Sequence, residues 1–96
     1  MPAYVIADIE VSDPAKYEGY RALSPGAIAA YGGRFLSRGG NMQVLEGNWA
    51  PSRVVVVEFS TAGQAQKFYD SPEYRAARAA RAGATNRFNM IVVEGV

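Results

Sequence analysis

The run RVVVVEF (Arg53–Phe59) constrains the fold more than any other stretch of the sequence. β-Branched and aromatic residues follow one another in it without a break, which is typical of a strand. Successive side chains of a strand point to opposite faces of its sheet, so Val55, Val57 and Phe59 share one face. Two further valines occupy the other face, and the strand therefore needs an apolar cover on both sides.

Capping and turn residues predict the remaining elements. Asp13 followed by Pro14 begins a helix, because aspartate accepts from free backbone N–H groups and proline needs no donor in the first turn. Thr61 and Gln64 match a capping box. In chain order, the sequence predicts first a strand Ala3–Val11 and then a helix that breaks at Ser24–Gly26 and resumes to Tyr31. A strand RFLSR follows, interrupted by a bulge at Gly39-Gly40 before an extended MQVLEG. The remaining elements are the strand Arg53–Phe59, helices after Thr61 and Ser71, and a strand Asn86–Glu94.

This order, β-α-β-β-α-β, predicts an α+β fold of the ferredoxin-like type. Such a fold is a four-stranded antiparallel sheet with helices on one face, and residues 1–96 would form a single domain of this kind. The uncovered face would still carry valines and isoleucines, which is a large apolar patch to leave in water. We therefore expect a homodimer in which two subunits pack sheet to sheet.

The composition excludes several classes of chemistry. The chain has no cysteine and no histidine, so disulfides, thiolate nucleophiles, the usual zinc ligands and histidine bases are absent. No group of acidic residues has the spacing of a calcium loop, and we expect neither a metal nor an organic cofactor. The net charge of +1 does not favour a nucleic-acid partner. Without a signal peptide or a long apolar run, no membrane association and a cytoplasmic location are expected.

The stretch YGGRFLSRGG (Tyr31–Gly40) raises the question of a phosphate-binding loop. Such a loop needs glycines before a helix, so that the helix N-terminus meets the anion. Here the first glycine pair follows a helix, which favours a helix C-cap. The second pair is interpreted as a bulge, and because bulges re-aim side chains, Arg38 is a candidate for a functional orientation.

Five residues are candidates for lining a ligand pocket. Asp8 and Glu58 lie in predicted central strands between apolar neighbours, and charged groups are rarely buried without a partner. Alternation puts both acids on the face away from the helices, where Arg38 would join them in one polar cluster near the partner subunit. Tyr31 and Trp49 complete the set. A structural ion pair and an open ligand site are both compatible with this cluster, and no catalytic residue can be named.

Several sequence blocks together resemble a known family. They are DPAKYEGY, YGGRFLSRGG, VLEGNWAPSRVVVVEF, FYDSPEYRAARAARAGA and IVVEG, and in this order they are similar to small bacterial proteins of the domain of unknown function 1330 family. The resemblance covers essentially the whole chain. It implies a dimeric α+β barrel built from two ferredoxin-like subunits, and no established reaction. The same architecture houses cofactor-free monooxygenases, lactone isomerases and plain binding modules.

Two functions remain open. The first is a cofactor-independent enzyme, monooxygenase-like or isomerase-like, in which a buried carboxylate moves a proton of a small metabolite and an arginine holds an anion. The second is a non-catalytic dimeric binding or interaction module. A third alternative, a tautomerase that uses Pro2 as its base, is disfavoured because an acylated proline nitrogen, behind Met1, has no basic lone pair.

Overall fold

A computed structural model describes residues 1–96 and contains four strands and three helices. Their bounds are β1 Ala3–Val11, α1 Pro14–Ala30, β2 Arg34–Arg38, β3 Arg53–Phe59, α2 Ala62–Asp70, α3 Pro72–Ala80 and β4 Thr85–Glu94. As predicted, the helices begin at capping side chains: the carboxylate of Asp13 and the hydroxyls of Thr61 and Ser71 accept from backbone N–H groups three residues on.

The strands form one antiparallel sheet in the order β2-β3-β1-β4. All three helices pack on one side of it, which we call the inner face; the opposite side is the outer face. In β1 the residues Val5, Ala7 and Ile9 are buried against the helices, and the residues between them are half-buried on the outer face. This arrangement confirms the predicted ferredoxin-like fold.

Aromatic side chains fill the centre of the core between the inner face and the helices. Phe59 of β3 lies 5.1 Å from Phe68 of α2, and Phe68 lies 4.3 Å from Tyr74 of α3, between ring centroids. All three rings are almost fully buried. Close aromatic pairs of this kind contribute about 0.5–1.5 kcal/mol each beyond the area that they bury, so they tie α2 and α3 to the sheet.

Helix α1 is continuous, and the predicted break at Ser24–Gly26 is wrong. Pro25 lies inside the helix, where it has no N–H to donate to the carbonyl of Arg21, four residues earlier. The side chain of Arg38 makes a hydrogen bond of 3.4 Å to that carbonyl from β2. The packing of the helix buries Ser24, whereas Leu23 is 46% exposed. Tertiary contacts therefore override the helix-breaking preference of SPG.

The bulge in β2 lies earlier than predicted. The register pairs Phe35 with Val57 but Ser37 with Val56, so Leu36 is the extra residue. The strand ends at Arg38, and the expected extended segment MQVLEG is instead part of an irregular connection that runs to β3. Gly39 has a φ of 70° and starts this connection.

The glycine pair after α1 ends the helix, as predicted. Gly32 has a φ of 78°, a conformation that side chains with a Cβ adopt at a cost. Gly33 is required for a different reason. A Cβ at this position would lie 2.6 Å from Cε1 of Phe59 and 2.8 Å from Cγ2 of Ile28, so only glycine lets the chain pass this close to the core.

Gly33→Ala should therefore lower the free energy of unfolding by about 1–3 kcal/mol, the usual cost of overpacking a core. Gly26→Ala is the matched control, because a Cβ there meets open space within the helix. It should raise the free energy of unfolding by ~0.5–1 kcal/mol through helix propensity. Urea denaturation measures both, and equal effects would contradict the close contact at Gly33.

Candidate functional site

A cavity lies between the inner face of the sheet and helix α1, and we call it the sheet–helix cavity. Its volume is about 30 Å³, which is room for one or two water molecules. Most of its lining consists of apolar side chains from β1, β3, β4 and α1. An apolar hollow into which a few polar groups converge is the usual form of a small-molecule site.

The polar groups of this cavity come from three elements. Four polar residues, Tyr17, Tyr20, Arg21 and Ser24, reach it from α1, Arg38 reaches it from β2 and Arg53 from β3. Arg53 lies on the inner face because its partner in the ladder is Ile9, which is buried against the helices. The cavity lining contains no aspartate and no glutamate. Its charge is therefore positive.

Arg38 reaches the cavity because of the bulge in β2. In a regular strand, residues two apart share a face, so Arg38 would lie on the outer face with Arg34. The extra residue Leu36 shifts the alternation, and Arg38 pairs in register with the inner-face residue Val55. Its guanidinium stacks over the ring of Phe35 at 4.8 Å. Arg38 therefore lies on the opposite side of the sheet from the acids with which it was expected to cluster.

Hydroxyl groups near the cavity differ in their surroundings. The hydroxyl of Tyr20 is 2.6 Å from that of Tyr74, which is fully buried. Burial and the neighbouring Tyr74 raise the pKa of Tyr20 far above its ordinary value, so this phenol stays protonated. Burial also raises the pKa of Tyr17, but the Arg53 guanidinium acts against that increase. Both phenols therefore have a neighbouring arginine, Arg53 beside Tyr17 and Arg81 over the ring of Tyr20, and burial outweighs the effect of each cation.

Asp8 lies on the outer face, where it is held by two neighbours. The guanidinium of Arg87 donates to its carboxylate at 3.0 and 3.2 Å, and the indole N–H of Trp49 donates to it at 3.2 Å. Arg87 also forms an ion pair with Glu10 at 3.1 Å. The hydrogen bond from Arg87 is the main cause that lowers the pKa of Asp8. Asp8 is therefore an ionised partner in a structural network.

Glu58 has a separate partner on the same face. Nε of Arg34 donates to its carboxylate at 2.7 Å. In the β1–β3 ladder Glu58 pairs with Tyr4 whereas Asp8 pairs with Val54, so four steps of the ladder separate the two acids. The predicted cluster of Asp8, Glu58 and Arg38 is therefore wrong. Each acid forms an ion pair with an arginine of an edge strand. For Arg87, the alternation of NRFNM could have indicated that its side chain lies on the outer face.

The remaining two candidates also lie outside the sheet–helix cavity. The hydroxyl of Tyr31 donates to the carboxylate of Glu73 at 2.9 Å, and this hydrogen bond is the main cause that raises the pKa of Tyr31. Trp49 lies at the outer face against Asp8. Of the five candidates from the sequence, only Arg38 lines the cavity. Sequence reasoning did not single out Arg53, because an arginine at the start of a strand is usually solvated.

Neither a metal site nor a membrane span is evident. No three acidic side chains come together in an arrangement that could hold a metal ion. None of the three helices combines the length and the apolarity that crossing a bilayer requires.

Three features point to one family: the order of the strands, a sheet with helices on one face only, and the sequence blocks quoted above. The chain belongs to the family described as domain of unknown function (DUF1330). The family model matches residues 2–96. No protein of curated function matches the sequence of this DUF1330 protein.

Solved structures share the fold at low sequence identity. A protein of unknown function from Rhodopseudomonas palustris has a TM-score of 0.76 at 18% identity, and the match covers 99% of this chain and 82% of that one. A dimeric ferredoxin-like protein of unknown function from Jannaschia sp. CCS1 has a TM-score of 0.76 at 12% identity, with 99% and 100% covered. SnoaB, a cofactor-independent oxygenase from Streptomyces nogalater, has a TM-score of 0.69 at 14% identity, with 99% and 93% covered.

The hydroxyl pair beside the cavity makes a testable contribution to the stability of this DUF1330 protein. Tyr20→Phe leaves the buried hydroxyl of Tyr74 without its partner, which should lower the free energy of unfolding by about 1–3 kcal/mol. The double variant Tyr20→Phe/Tyr74→Phe removes both hydroxyls and should recover part of that loss. Urea denaturation of both single variants and the double variant measures the coupling. Strictly additive losses would contradict it.

Proposed function

We propose that this protein binds a small metabolite in the sheet–helix cavity and transforms it without a cofactor. The observation that carries the proposal is the cavity itself, an apolar hollow lined by two phenols and three guanidiniums. Such convergence of polar groups in an apolar site is typical of ligand binding. A cytoplasmic location and independence from metals remain predictions within this proposal.

Fold similarity supports the proposal as an analogy. SnoaB, which has the same fold, is described as a cofactor-independent oxygenase. At 14% identity this likeness concerns the fold, and function belongs to the side chains of the site. It does show that chemistry without a cofactor is compatible with this architecture.

The groups around the cavity suggest how a proton would be moved. The sequence led us to expect a carboxylate in this role, but the lining contains none. Tyr17 is the better candidate, as a proton donor rather than a base, because burial raises its pKa and the adjacent Arg53 only partly opposes that increase. Tyr20 would serve as a hydrogen-bond donor, since it stays protonated. A substrate that becomes an enolate or phenolate during reaction would be stabilised by the positive charge of the site.

Filling the cavity tests the proposal. Val55 is half-buried in the lining, and Val55→Phe should occupy the free volume. Screened against small ketones, phenols and carboxylic acids, the wild-type protein should show compounds that raise its thermal midpoint, and Val55→Phe should lose this response. Leu23→Phe is the control, because Leu23 is exposed on α1 and outside the lining.

Product analysis separates the two functions that remained open. Mass spectrometry of the binding compounds after incubation with protein in air should reveal an oxygenated or isomerised product. Recovery of every compound unchanged would favour the non-catalytic binding module. Equal midpoint shifts in the wild type and Val55→Phe, or no shift with any compound, would contradict binding in the cavity.

We also propose that two copies of the chain pack through their outer faces. Ile6 lies at the centre of this face, in register with Val56 on one side and Ile91 on the other. Ile91 is 60% exposed and Val93 46% exposed, which is costly for side chains of this kind in water. The Jannaschia protein of the same fold is described as dimeric. A stable interface of this type buries about 1,200–2,000 Å² in total.

Ile6→Lys should convert the dimer to a monomer, because it introduces a charge at the centre of the proposed interface. Sedimentation velocity at low micromolar concentration measures the change. Ala79→Lys is the control, since Ala79 is exposed on α3, and this variant should sediment as the wild type does. A wild-type protein that is a folded monomer at this concentration would contradict the proposal.

A further inference from the structure

The arginines of this chain divide into paired and unpaired groups. On the outer face Arg34 and Arg87 form ion pairs with Glu58 and Asp8. Arg21, at the edge of the cavity, pairs with Glu18. Arg38 and Arg53 form no ion pair although both line the sheet–helix cavity. Arg38 is exposed and can be solvated by water, whereas Arg53 is half-buried in the apolar lining, where a charged group normally has a partner of opposite charge.

The hydrogen bonds of Arg38 and Arg53 also indicate donors that lack a partner. Arg38 makes one long hydrogen bond of 3.4 Å to the carbonyl of Arg21. Nε of Arg53 is inaccessible to water and has no hydrogen-bond partner, as is also true of Nε of Arg78 and Arg81, but of these three arginines only Arg53 lines the cavity. A guanidinium carries five N–H donors; Tyr17 engages part of the Arg53 guanidinium, and Nε of Arg53 is free for a ligand. Buried polar groups without partners are rare and indicate a missing partner.

The absence of a side chain at Gly39 leaves space for the Arg53 guanidinium. Gly39 has a φ of 70°, and a Cβ at this position would collide with the Arg53 guanidinium. Glycine here thus keeps the space beside Arg53 free of a side chain. From the other side, the hydroxyl-bearing Tyr17 faces the same guanidinium. Within the second glycine pair of YGGRFLSRGG, Gly39 therefore accommodates the Arg53 guanidinium and does not form a phosphate loop.

We propose that Arg38 and Arg53 together bind the carboxylate of a small organic acid, whose apolar part lies against the valines and aromatic rings of the cavity. This inference rests on the proposed function and names its ligand class. A carboxylate matches the planar fork of a guanidinium on two points. The apolar remainder of the lining and the small volume favour a short acid over a phosphate ester, which would require more donors.

Paired probes of equal shape test the role of charge. Propionate and propionamide differ in charge, as do acetate and acetamide, and each is titrated into ¹⁵N-labelled protein while amide shifts are followed. Propionate should shift the amides around Arg38, Gly39 and Arg53, and it should bind at least about tenfold more tightly than propionamide, since hydrogen bonds to charged groups are the stronger ones.

Substitutions locate the binding. Arg53→Gln and Arg38→Gln should each weaken propionate binding by about tenfold or more and leave binding of propionamide unchanged. Arg34→Gln on the outer face is the matched control and should change neither. Arg38 is exposed, so its variant keeps the test valid even if Arg53→Gln fails to fold. Arg53→Lys should restore part of the affinity.

Each result supports or overturns a defined claim. Equal affinity for acids and amides, or unchanged affinity in Arg38→Gln, would overturn the carboxylate assignment. If neutral probes still bound in the wild type and failed in Val55→Phe, the cavity would remain a ligand site and only its assigned charge preference would fail. If neither kind of probe shifted the amides of the cavity, both the assignment and the proposed function would be contradicted.

Discussion

The extra residue in β2 controls the distribution of charge across the sheet. Leu36 reverses the alternation of the strand, so that Phe35 and Arg38 both lie on the inner face. Asp8 and Glu58 stay on the outer face, because β1 and β3 alternate regularly. The bulge therefore separates Arg38 from the acids of the sheet, and the cavity between sheet and helices becomes positively charged.

Two other irregularities of the chain support this arrangement. Pro25 removes the helical donor for the carbonyl of Arg21, and Arg38 occupies that position with its guanidinium. Gly39 leaves space beside Arg53. A proline inside a helix costs stability, whereas glycine is the residue that adopts a positive φ without a steric penalty. Their common effect is to position two guanidiniums at the same cavity, which is consistent with a functional site.

The sequence predicted the parts of the fold that depend on local rules. Alternation in β1 and β3 correctly assigned the inner and outer faces, and the capping residues Asp13, Thr61 and Ser71 correctly placed the helix starts. The ferredoxin-like order follows from these elements, because few topologies satisfy them.

The site was harder to predict because its features depend on contacts distant in sequence. The bulge involves Leu36, which has no conformational signal of its own, whereas Gly39-Gly40 offered a misleading one. Arg34 and Arg87 neutralise the acids only through the strand register, which a single sequence does not specify. Pro25 has a local preference that favours a helix break, but tertiary contacts keep α1 continuous through it.

The most direct test of a positively charged cavity is anomalous diffraction from crystals soaked in sodium bromide. Bromide is a monatomic anion and is small enough for the free volume. The account predicts an anomalous peak inside the cavity, in contact with the guanidiniums of Arg38 and Arg53, which is lost in crystals of Arg53→Gln. Bromide confined to the protein surface, with Arg38 or Arg53 turned away from the cavity or paired with a carboxylate, would contradict it.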